Sequence, residues 1–352
     1  MSASPDPLAP VVASLVPDFA PRLVAWQRLH GRHALPWQQT RDPYRVWLSE
    51  IMLQQTQVST VLGYYQRFLE RFPTVLALAD AHLDEVLAMW QGLGYYSRAR
   101  NLHRCAQAVR DQHGGAFPPS AARLAELPGI GRSTAAAIAS FCFDERVAIL
   151  DGNVKRVLGR LLAFDGDLAS SAQEKRLWGH AQALLPAQAA DMPAYTQGLM
   201  DLGASLCSTR SPQCLLCPVQ GLCEAQRRGT AEQFPVKTRK LKRSRREHWW
   251  LWLEHEGRIW LEQRPAKGVW AGLWSLPLYE DEAQLNAQVR QLAAASPELL
   301  PRIEHALTHF DWVLHPRRLQ LERSAEPGVG TWVAREELGR YALPAPLKKL
   351  LG

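Results

Sequence analysis

The stretch that decides the fold is Leu127-Pro-Gly-Ile-Gly131, which Arg132-Ser133-Thr134 and an alanine-rich segment follow. Two glycines permit a tight turn whose backbone N–H groups face outward, and the N-terminus of a following helix adds a partial positive charge. The run therefore predicts a phosphate-binding site that does not depend on base sequence. It lacks the longer glycine pattern of a dinucleotide-binding fold, and no clear strand precedes it.

The residues on either side of this turn have the spacing of an all-helical domain. Between Ala20 and Gln226, apolar residues recur at helical intervals, and glycines and prolines separate the helical segments. Residues 1–20 are rich in Ala, Pro and Ser, contain no Lys or Arg, and are predicted to form a disordered tail. The helical domain is therefore predicted over residues 21–226.

The sequence changes character at a basic segment. Seven of the ten residues in Lys237–Arg246 are Lys or Arg and none is acidic, which favours a solvated linker over 227–247 because like charges repel. Phosphate contacts are the alternative for this segment. Beyond it, the short apolar runs Trp249–Leu253 and Arg258–Gln263 flank a glycine-containing turn and predict a hairpin in an α/β domain over 248–352.

The composition of the whole chain indicates the class of protein. Its 352 residues suggest two domains, and a hydrophobic content of 47% lets each bury a core. The formal net charge of +7 favours a polyanionic partner, of which nucleic acid is the first candidate. No apolar run reaches the length of a membrane span, and the first residues resemble neither a secretory signal nor a transit peptide. We therefore expect a cytoplasmic protein.

Four of the six cysteines form a compact cluster with the pattern C-x6-C-x2-C-x5-C: Cys207, Cys214, Cys217 and Cys223. In a reducing compartment such clustering indicates a metal site and not disulfides. Four thiolates can close a tetrahedral shell around zinc or hold an iron–sulfur cube, and their softness alone does not choose between these. Zinc ribbons usually show two separated C-x2-C pairs, whereas this loop has one.

Two carboxyl groups stand in unusual surroundings. Glu50 lies on a predicted helix crowded by apolar residues, so it is either at the solvent edge or in a dry pocket. Asp151 follows two apolar residues and precedes Gly152 and Asn153, where it could simply cap a helix. The residues alone leave both alternatives open.

Four motifs in this order resemble those of the endonuclease III and MutY glycosylases: the Glu50 segment, the Leu127–Ala135 run, the Asp151 segment and the cysteine loop. The resemblance covers nearly all of the chain after residue 20. It implies a multi-domain protein, with an all-α helix-hairpin-helix glycosylase domain that carries an iron–sulfur loop, followed by an α/β Nudix-like domain. The implied lobes of the first domain are a six-helix lobe at about 41–149 and an iron–sulfur lobe of 21–40 plus 150–226.

The resemblance to the MutY branch implies a monofunctional adenine DNA glycosylase of base excision repair. Its substrate would be adenine opposite 8-oxoguanine or guanine in duplex DNA, flipped out of the stack. Glu50 would be the general acid, and Asp151 would stabilise or attack the sugar cation. Ser133 stands where endonuclease III has its Schiff-base lysine, which implies weak or no strand cleavage. The supporting pocket residues would be Ser133, Asn153, Leu35, Trp37 and Gln38.

The resemblance also implies a [4Fe–4S] cluster on the four cysteines and a set of DNA contacts. Tyr95, in the run Gly92-Leu-Gly-Tyr-Tyr96, would be an aromatic wedge, although a buried tyrosine pair is the alternative. Thr308 and His309 match a turn that contacts the oxidised base, with Leu307 in place of its aromatic residue; they could instead end a strand. The remaining implied DNA-binding residues are Gln54, Gln55, Thr56, Leu93, Gly129, Gly131, Arg132 and Lys155.

Other functions were weighed against this one. An endonuclease III-like glycosylase and lyase for oxidised pyrimidines is disfavoured by Ser133, Glu50 and the C-terminal domain. A non-enzymatic DNA-binding protein with a redox cluster is a second alternative. Nucleotide hydrolysis is a third, but residues 278–300 lack the glutamate-rich helix that would bind magnesium. We expect a monomer whose partner is double-stranded DNA, with no membrane association.

Overall fold

The computed structural model describes residues 6–238, 243–292 and 296–352. The chain divides into two units, Met1–Gln55 with Ala108–Lys240, and Thr56–Gln107 with Leu241–Gly352. Within the described residues, no helix is both long and apolar enough to cross a membrane. The division differs from the predicted lobes, because residues 56–107 group with the C-terminal residues.

Fifteen α-helices are present among the described residues. In chain order they are α1 Ala9–Leu15, α2 Phe19–His30, α3 Pro43–Leu53, α4 Val58–Arg71, α5 Val75–Asp80, α6 Leu83–Met89, α7 Ser97–His113, α8 Ala121–Leu124, α9 Arg132–Phe143, α10 Gly152–Leu161, α11 Ser171–Ala183, α12 Met192–Ala204, α13 Glu224–Arg227, α14 Glu282–Leu292 and α15 Ala345–Leu351. Short 3-10 turns lie at Pro36–Gln38, Ala189–Asp191, Cys214–Leu216, Gln220–Leu222, Ala231–Gln233 and Arg335–Arg340.

The strands all lie in the C-terminal part of the described chain. They are β1 Ser244–His255, β2 Arg258–Gln263, β3 Trp274–Ser275, β4 Leu278–Tyr279, β5 Glu298–Leu299, β6 Ile303–Ala306, β7 Phe310–Gln320 and β8 Thr331–Ala334. Their order is β3-β2-β1-β7-β5, with β4 on β1, β6 on β7 and β8 on β2. The sheet is mixed, because β1 and β7 run parallel while the other pairs are antiparallel.

The core of the first unit forms where α12 packs against α2, α9 and α10. Phe19 and Leu158 are fully buried there, and Tyr195 is almost so. A Cβ on Gly203 would stand 2.6 Å from the Cβ of Asn153, so only glycine lets α12 pass the start of α10 this closely. This close approach sets the position of the Asp151 segment.

The second unit joins the helical residues 56–107 to the sheet through side-chain hydrogen bonds. The Gln91 amide donates to the Leu343 carbonyl at 3.0 Å, and the Arg100 guanidinium donates to the Ala271 carbonyl at 2.6 Å. Helix α14 packs on β1, and Leu251 and Leu253 of that strand are fully buried beside it. These contacts accompany the grouping of residues 56–107 with the C-terminal residues, and the six-helix lobe at about 41–149 stays a prediction.

The predicted disordered tail over residues 1–20 is wrong from Asp6 onward. Helix α1 packs on α11 and buries Val12 and Leu15. The Asp6 carboxylate lies 3.0 Å from Arg176 and 3.2 Å from His180 on the same helix. The apolar residues of α1 have helical spacing, a signal that the Ala- and Pro-rich composition obscured. Residues 1–5 lie outside the described residues.

The predicted basic linker over 227–247 is replaced by ordered structure at both ends. Leu168 N donates to the Val236 carbonyl at 3.0 Å, which ties the first part to the helical unit. Strand β1 begins at Ser244 and pairs with β7. Like charge does not prevent this pairing, because the side chains of residues 244–247 are exposed to solvent. Residues 239–242 lie outside the described residues.

Candidate active site

Glu50 lies in the last turn of α3, among buried apolar neighbours. The helix begins behind Asp42, whose side chain accepts a hydrogen bond from Tyr44 N at 3.0 Å, and Trp47 and Ile51 pack into the core. Burial raises the pKa of the Glu50 carboxyl to about 8, and the negative charge of Asp151 adds to the rise. Part of the residue remains accessible to solvent, but its carboxyl group lies in a desolvated pocket and not at the solvent edge.

Asp151 caps helix α10, with its carboxylate accepting a hydrogen bond from Val154 N at 2.8 Å. The simple capping role is therefore present in the structure. Burial raises the pKa of Asp151, and hydrogen bonds from the Val154 and Asn153 backbone, together with the charges of Arg156 and Lys155, oppose that rise. The cap holds the carboxylate in one orientation near Glu50. Glu50, whose raised pKa keeps it protonated, can serve as the acid, and Asp151, whose hydrogen bonds favour the ionised form, can serve as the anion.

The glycine-rich turn has the geometry that the sequence predicts. Gly129 adopts a positive φ of 77°, and Gly131 is the N-cap of α9 with open space where a Cβ would stand. The first N–H groups of a helix have no intrahelical acceptor, so this turn can present them to an anion. The Arg132 guanidinium lies 3.9 Å above the ring of Trp178, which restrains it beside the turn.

Ser133 connects this turn to the segment that carries Asp151. Its Oγ accepts a hydrogen bond from Leu150 N at 3.0 Å. Gln54, predicted to contact DNA, ends α3 and donates to Thr134 Oγ1 at 3.5 Å. Gln55 adopts a positive φ of 57° directly after it. The turn, the end of α3 and the start of α10 therefore share a hydrogen-bonded region of the first unit.

The other predicted pocket residues make local contacts. Trp37 is buried within its 3-10 turn, and the Gln38 side chain accepts from Leu35 N at 3.3 Å. Asn153 Oδ1 accepts from Arg156 at 2.9 Å. Lys155 donates to Glu174 at 2.8 Å, so this predicted phosphate ligand already forms an ion pair.

The four predicted metal ligands line one small, largely apolar cavity: Cys207, Cys214, Cys217 and Cys223. Two 3-10 turns bring them together, because Cys217 N donates to the Cys214 carbonyl and Cys223 N to the Gln220 carbonyl. Across the described residues, no group of three or more His, Cys, Asp or Glu side chains is arranged to hold a metal ion. The sulfur donors that an iron–sulfur cluster requires are nevertheless four, and all four face this one cavity.

The predicted wedge stands on a tight turn in the second unit. Gly92 and Gly94 have φ values of 103° and 71°, and Tyr95 has 48° with 47% of its surface exposed. The Trp90 indole donates to the Gly94 carbonyl at 3.1 Å. Leu93 packs inward from the turn, with only 5% of its surface exposed, and its contact with DNA stays a prediction.

Thr308 and His309 are the exposed central residues of the turn between β6 and β7, which Leu307 N closes onto the Phe310 carbonyl at 2.9 Å. Phe310 is buried directly after the turn and supplies an aromatic anchor that Leu307 does not. Thr308 Oγ1 lies 3.0 Å from Tyr95 Oη. The structure therefore brings together two predicted DNA contacts that lie 213 residues apart.

Two buried arginines that sequence reasoning missed support these sites. Arg98 donates to the carbonyls of Leu93 and Gly94 at 2.9 and 3.2 Å, and to Thr56 Oγ1 at 3.1 Å. Arg160 lies within the cysteine cavity. The available signal for Arg160 was a cation on the apolar face of a helix, between Val157 and Leu161.

Family models match both parts of the chain. Residues 48–182 match the HhH-GPD superfamily of base excision DNA repair proteins, and residues 248–352 match the NUDIX domain. The chain is 34% identical over 339 residues to the adenine DNA glycosylase of Buchnera aphidicola subsp. Acyrthosiphon pisum (strain APS), covering 95% of this chain and 96% of that protein. It is 33% identical over 406 residues to the adenine DNA glycosylase of Homo sapiens, covering 95% and 73%.

Solved structures resemble the helical part of the chain. A thermostable thymine-DNA glycosylase is 26% identical, with a TM-score of 0.53, and the match covers 63% of this chain and 100% of that one. An endonuclease III in a non-covalent complex with DNA has a TM-score of 0.51 at 22% identity, over 61% of this chain and 97% of that one. The second match bears on the fold alone.

Proposed function

We propose that the substrate of this chain is adenine opposite 8-oxoguanine or guanine. The chain belongs to the adenine DNA glycosylase family and is therefore a base excision repair glycosylase that acts on DNA. One observation carries the chemical part of this proposal. The Glu50 carboxyl, whose pKa is raised to about 8, lies close enough to Asp151 to feel its charge. The glycine-rich turn lies in the same unit.

In the proposed reaction, Glu50 donates its proton to a ring nitrogen of flipped-out adenine, N7. The electron pair of the N-glycosidic bond leaves with the base, and the sugar becomes an oxocarbenium ion. The Asp151 carboxylate stabilises that cation or bonds to it briefly. Water then adds to C1′, displacing Asp151 where that bond has formed, and its proton passes to the Glu50 carboxylate, which restores the acid and leaves an apurinic site.

Within the described residues, the side chain at the turn is a hydroxyl and not an amine, which supports hydrolysis without strand cleavage. Ser133 stands at the turn, and its hydroxyl accepts a hydrogen bond from Leu150 N. A Schiff base requires a lysine or another amine there, and Lys155 is paired with Glu174. The chain is accordingly a monofunctional glycosylase, and the endonuclease III-like alternative lacks its nucleophile.

The four cysteines are proposed to bind a [4Fe–4S] cluster. The support is their common cavity and the four sulfur donors that it offers. A bound cluster would cross-link the loop of residues 207–223, which has only short 3-10 turns of its own. The residues of this chain that hold it would be Cys207, Cys214, Cys217 and Cys223.

DNA contacts are proposed for both units. Gly129, Gly131 and Arg132 would bind the phosphate backbone, with Gln54, Gln55 and Thr56 near the bases. Tyr95 would enter the stack while Thr308 and His309 read the opposite base. The exposure of Tyr95 and its hydrogen bond to Thr308 support a joint role of the two residues.

A single-turnover excision assay tests the proposal. Duplexes would carry adenine opposite 8-oxoguanine, adenine opposite guanine, or thymine glycol opposite adenine, each assayed with and without alkali. We expect breakage only in the adenine strands, and chiefly after alkali. Breakage of the thymine glycol strand without alkali would contradict both the substrate and the roles given to Glu50 and Ser133.

A further inference from the structure

Arg160 is a buried cation in the wall of the cysteine cavity. Only 2% of its surface is exposed, and it projects from α10. Across the described residues, no carboxylate forms an ion pair with it. A guanidinium in such a place loses its hydration, and proteins normally offset that loss with an anion nearby.

The hydrogen bonds of Arg160 all go to the loop and to the chain that follows it. Nη1 donates to Ser208 O at 2.6 Å and to Cys207 Sγ at 3.3 Å. Nη2 donates to Thr209 O at 3.1 Å. On its other side, Nε donates to Ala231 O at 2.7 Å. One side chain therefore joins the start of the cysteine loop to the segment beyond its end.

The backbone of the same residue contacts the last cysteine. Cys223 Sγ lies 3.4 Å from the Arg160 carbonyl oxygen, while Cys207 Sγ lies 3.3 Å from its guanidinium. Both ends of the loop thus lie beside Arg160, and its guanidinium donates to the first of the two sulfurs. A lysine could supply the charge but not a planar fork with several donors.

We propose that Arg160 is the buried counter-cation of the iron–sulfur cluster and the clamp that closes its loop. This inference rests on the proposed cofactor. Four thiolates outweigh the positive charge of an oxidised cube, so the bound assembly is an anion. Reduction makes it more negative still, and a fixed cation hydrogen-bonded to a ligand sulfur favours the reduced form. Arg160 therefore raises the reduction potential and slows loss of iron.

Three variants of the purified full-length holoprotein test the two parts of this role. Arg160→Met removes charge and donors, whereas Arg160→Lys keeps the charge and loses the fork. Arg146→Met is the matched control, because Arg146 also joins two segments through Nε, which donates to the Pro186 carbonyl, but lies outside the cavity lining. The readouts are iron and sulfide per chain, the rate of iron transfer to a ferrous chelator, and the midpoint potential by film voltammetry.

We expect Arg160→Met to lose iron severalfold faster and to shift the remaining cluster to a more negative potential. Arg160→Lys should also release iron faster but keep a potential close to that of the parent protein, and Arg146→Met should match the parent in both. Unchanged potential and iron release in Arg160→Met would overturn the proposal. If that variant does not fold, iron release from Arg160→Lys at the parental rate would overturn it.

The cofactor and the activity can fail separately. A parent protein that purifies without iron and cannot be reconstituted would overturn both the cluster and the role of Arg160. Adenine excision by the same preparation would still support the proposed glycosylase function. Conversely, a protein with iron but no excision would leave the Arg160 measurements valid and contradict the substrate.

Discussion

In the proposed reaction Glu50 donates the proton that departing adenine needs. Its surroundings set its pKa, and therefore the pH above which it loses that proton. Apolar packing around the end of α3 raises the pKa of this carboxyl, and Asp151 raises it further. At neutral pH the acid is therefore mostly protonated. Asp151 keeps hydrogen bonds that favour its anion.

Glu50→Gln should abolish proton donation while keeping the size of the side chain. We expect single-turnover adenine excision to fall by about 100- to 10,000-fold, the range typical of general-acid catalysis. DNA affinity and iron content should stay at parental levels, which gel-shift titration and iron analysis would check. Excision at the parental rate would mean that another group protonates the base.

The pH dependence of excision follows from the same raised pKa. Because the neutral form of Glu50 is the reactive one, the single-turnover rate should fall as pH rises through about 8. It should also fall at acidic pH, where the Asp151 carboxylate becomes protonated. A pH profile of parent protein on adenine opposite 8-oxoguanine would check both limbs. A rate that stays constant into the alkaline range would exclude Glu50 as the acid.

Stability should respond to pH through Glu50 as well. A carboxyl whose pKa rises on folding stabilises the protein fully below its ordinary value of 4.5, and that contribution is lost as pH rises toward about 8. Glu50→Gln cannot ionise, so the variant does not lose this stability as the pH rises. Thermal unfolding should therefore show the variant gaining on the parent between these two values, and a constant difference in Tm would contradict the burial of the charge.

At the scale of elements, the turn of residues 91–95 shows how a strained segment is held. Its glycines and Tyr95 have positive φ, and a Cβ on Gly92 would stand 2.2 Å from Tyr64 Oη. Arg98, only 8% exposed, holds two of its carbonyls, and its guanidinium lies 5.6 Å from the Tyr95 ring. The exposed tyrosine is thus set by buried partners.

Arg98→Lys should loosen this turn without removing the charge. We expect excision to fall by about tenfold to a hundredfold, because misplacement of a substrate-positioning group is costly. The matched control is Arg104→Lys on the same helix, since Arg104 is exposed and, among the described residues, its side chain donates only to Asn101. Burst-phase rates and DNA dissociation constants for both variants would check this. Equal behaviour of the two variants would deny Arg98 a positioning role.

Local sequence predicted some of these elements and not others. The glycine-rich turn, α3 and the cap at Asp151 follow from short-range patterns, because neighbouring residues decide a turn, a cap or a helical face. The hydrogen bond between Tyr95 and Thr308 could not be predicted, since 213 residues separate them. The inward direction of Leu93 could not be predicted either, because other residues of the same motif are exposed. Arg160 was missed because charge normally indicates a solvent face.

At the scale of the whole molecule, two folds contribute to one proposed reaction on a polyanion. The family models cover residues 48–182 and 248–352, each of which is close to neutral, so the net charge of +7 comes from residues 1–47 and above all from residues 183–247. The basic segment shows the limit of composition as a guide. Its charge predicted a linker, but backbone pairing with β7 incorporates residues 244–247 into the sheet. The cytoplasmic location and the monomeric state stay predictions.

Phosphate contacts should make DNA binding sensitive to salt. Arg132→Gln should weaken binding similarly for all duplex sequences and lower the slope of log affinity against log salt by about one. Titrations at several salt concentrations, on matched and mispaired duplexes, would check this. An unchanged slope would show that Arg132, restrained on Trp178, does not neutralise a phosphate.

The Ser133 hydroxyl has a consequence that reaches beyond the lost amine. It ties the turn proposed to grip the backbone to the residue directly before Asp151. A duplex bound in the wrong position would disturb the hydrogen bond between Ser133 and Leu150, which helps to orient the Asp151 carboxylate. A badly docked strand would therefore also misplace the carboxylate and slow the chemical step. In such an arrangement, selectivity for the correct duplex would come from the rate of base excision as well as from binding.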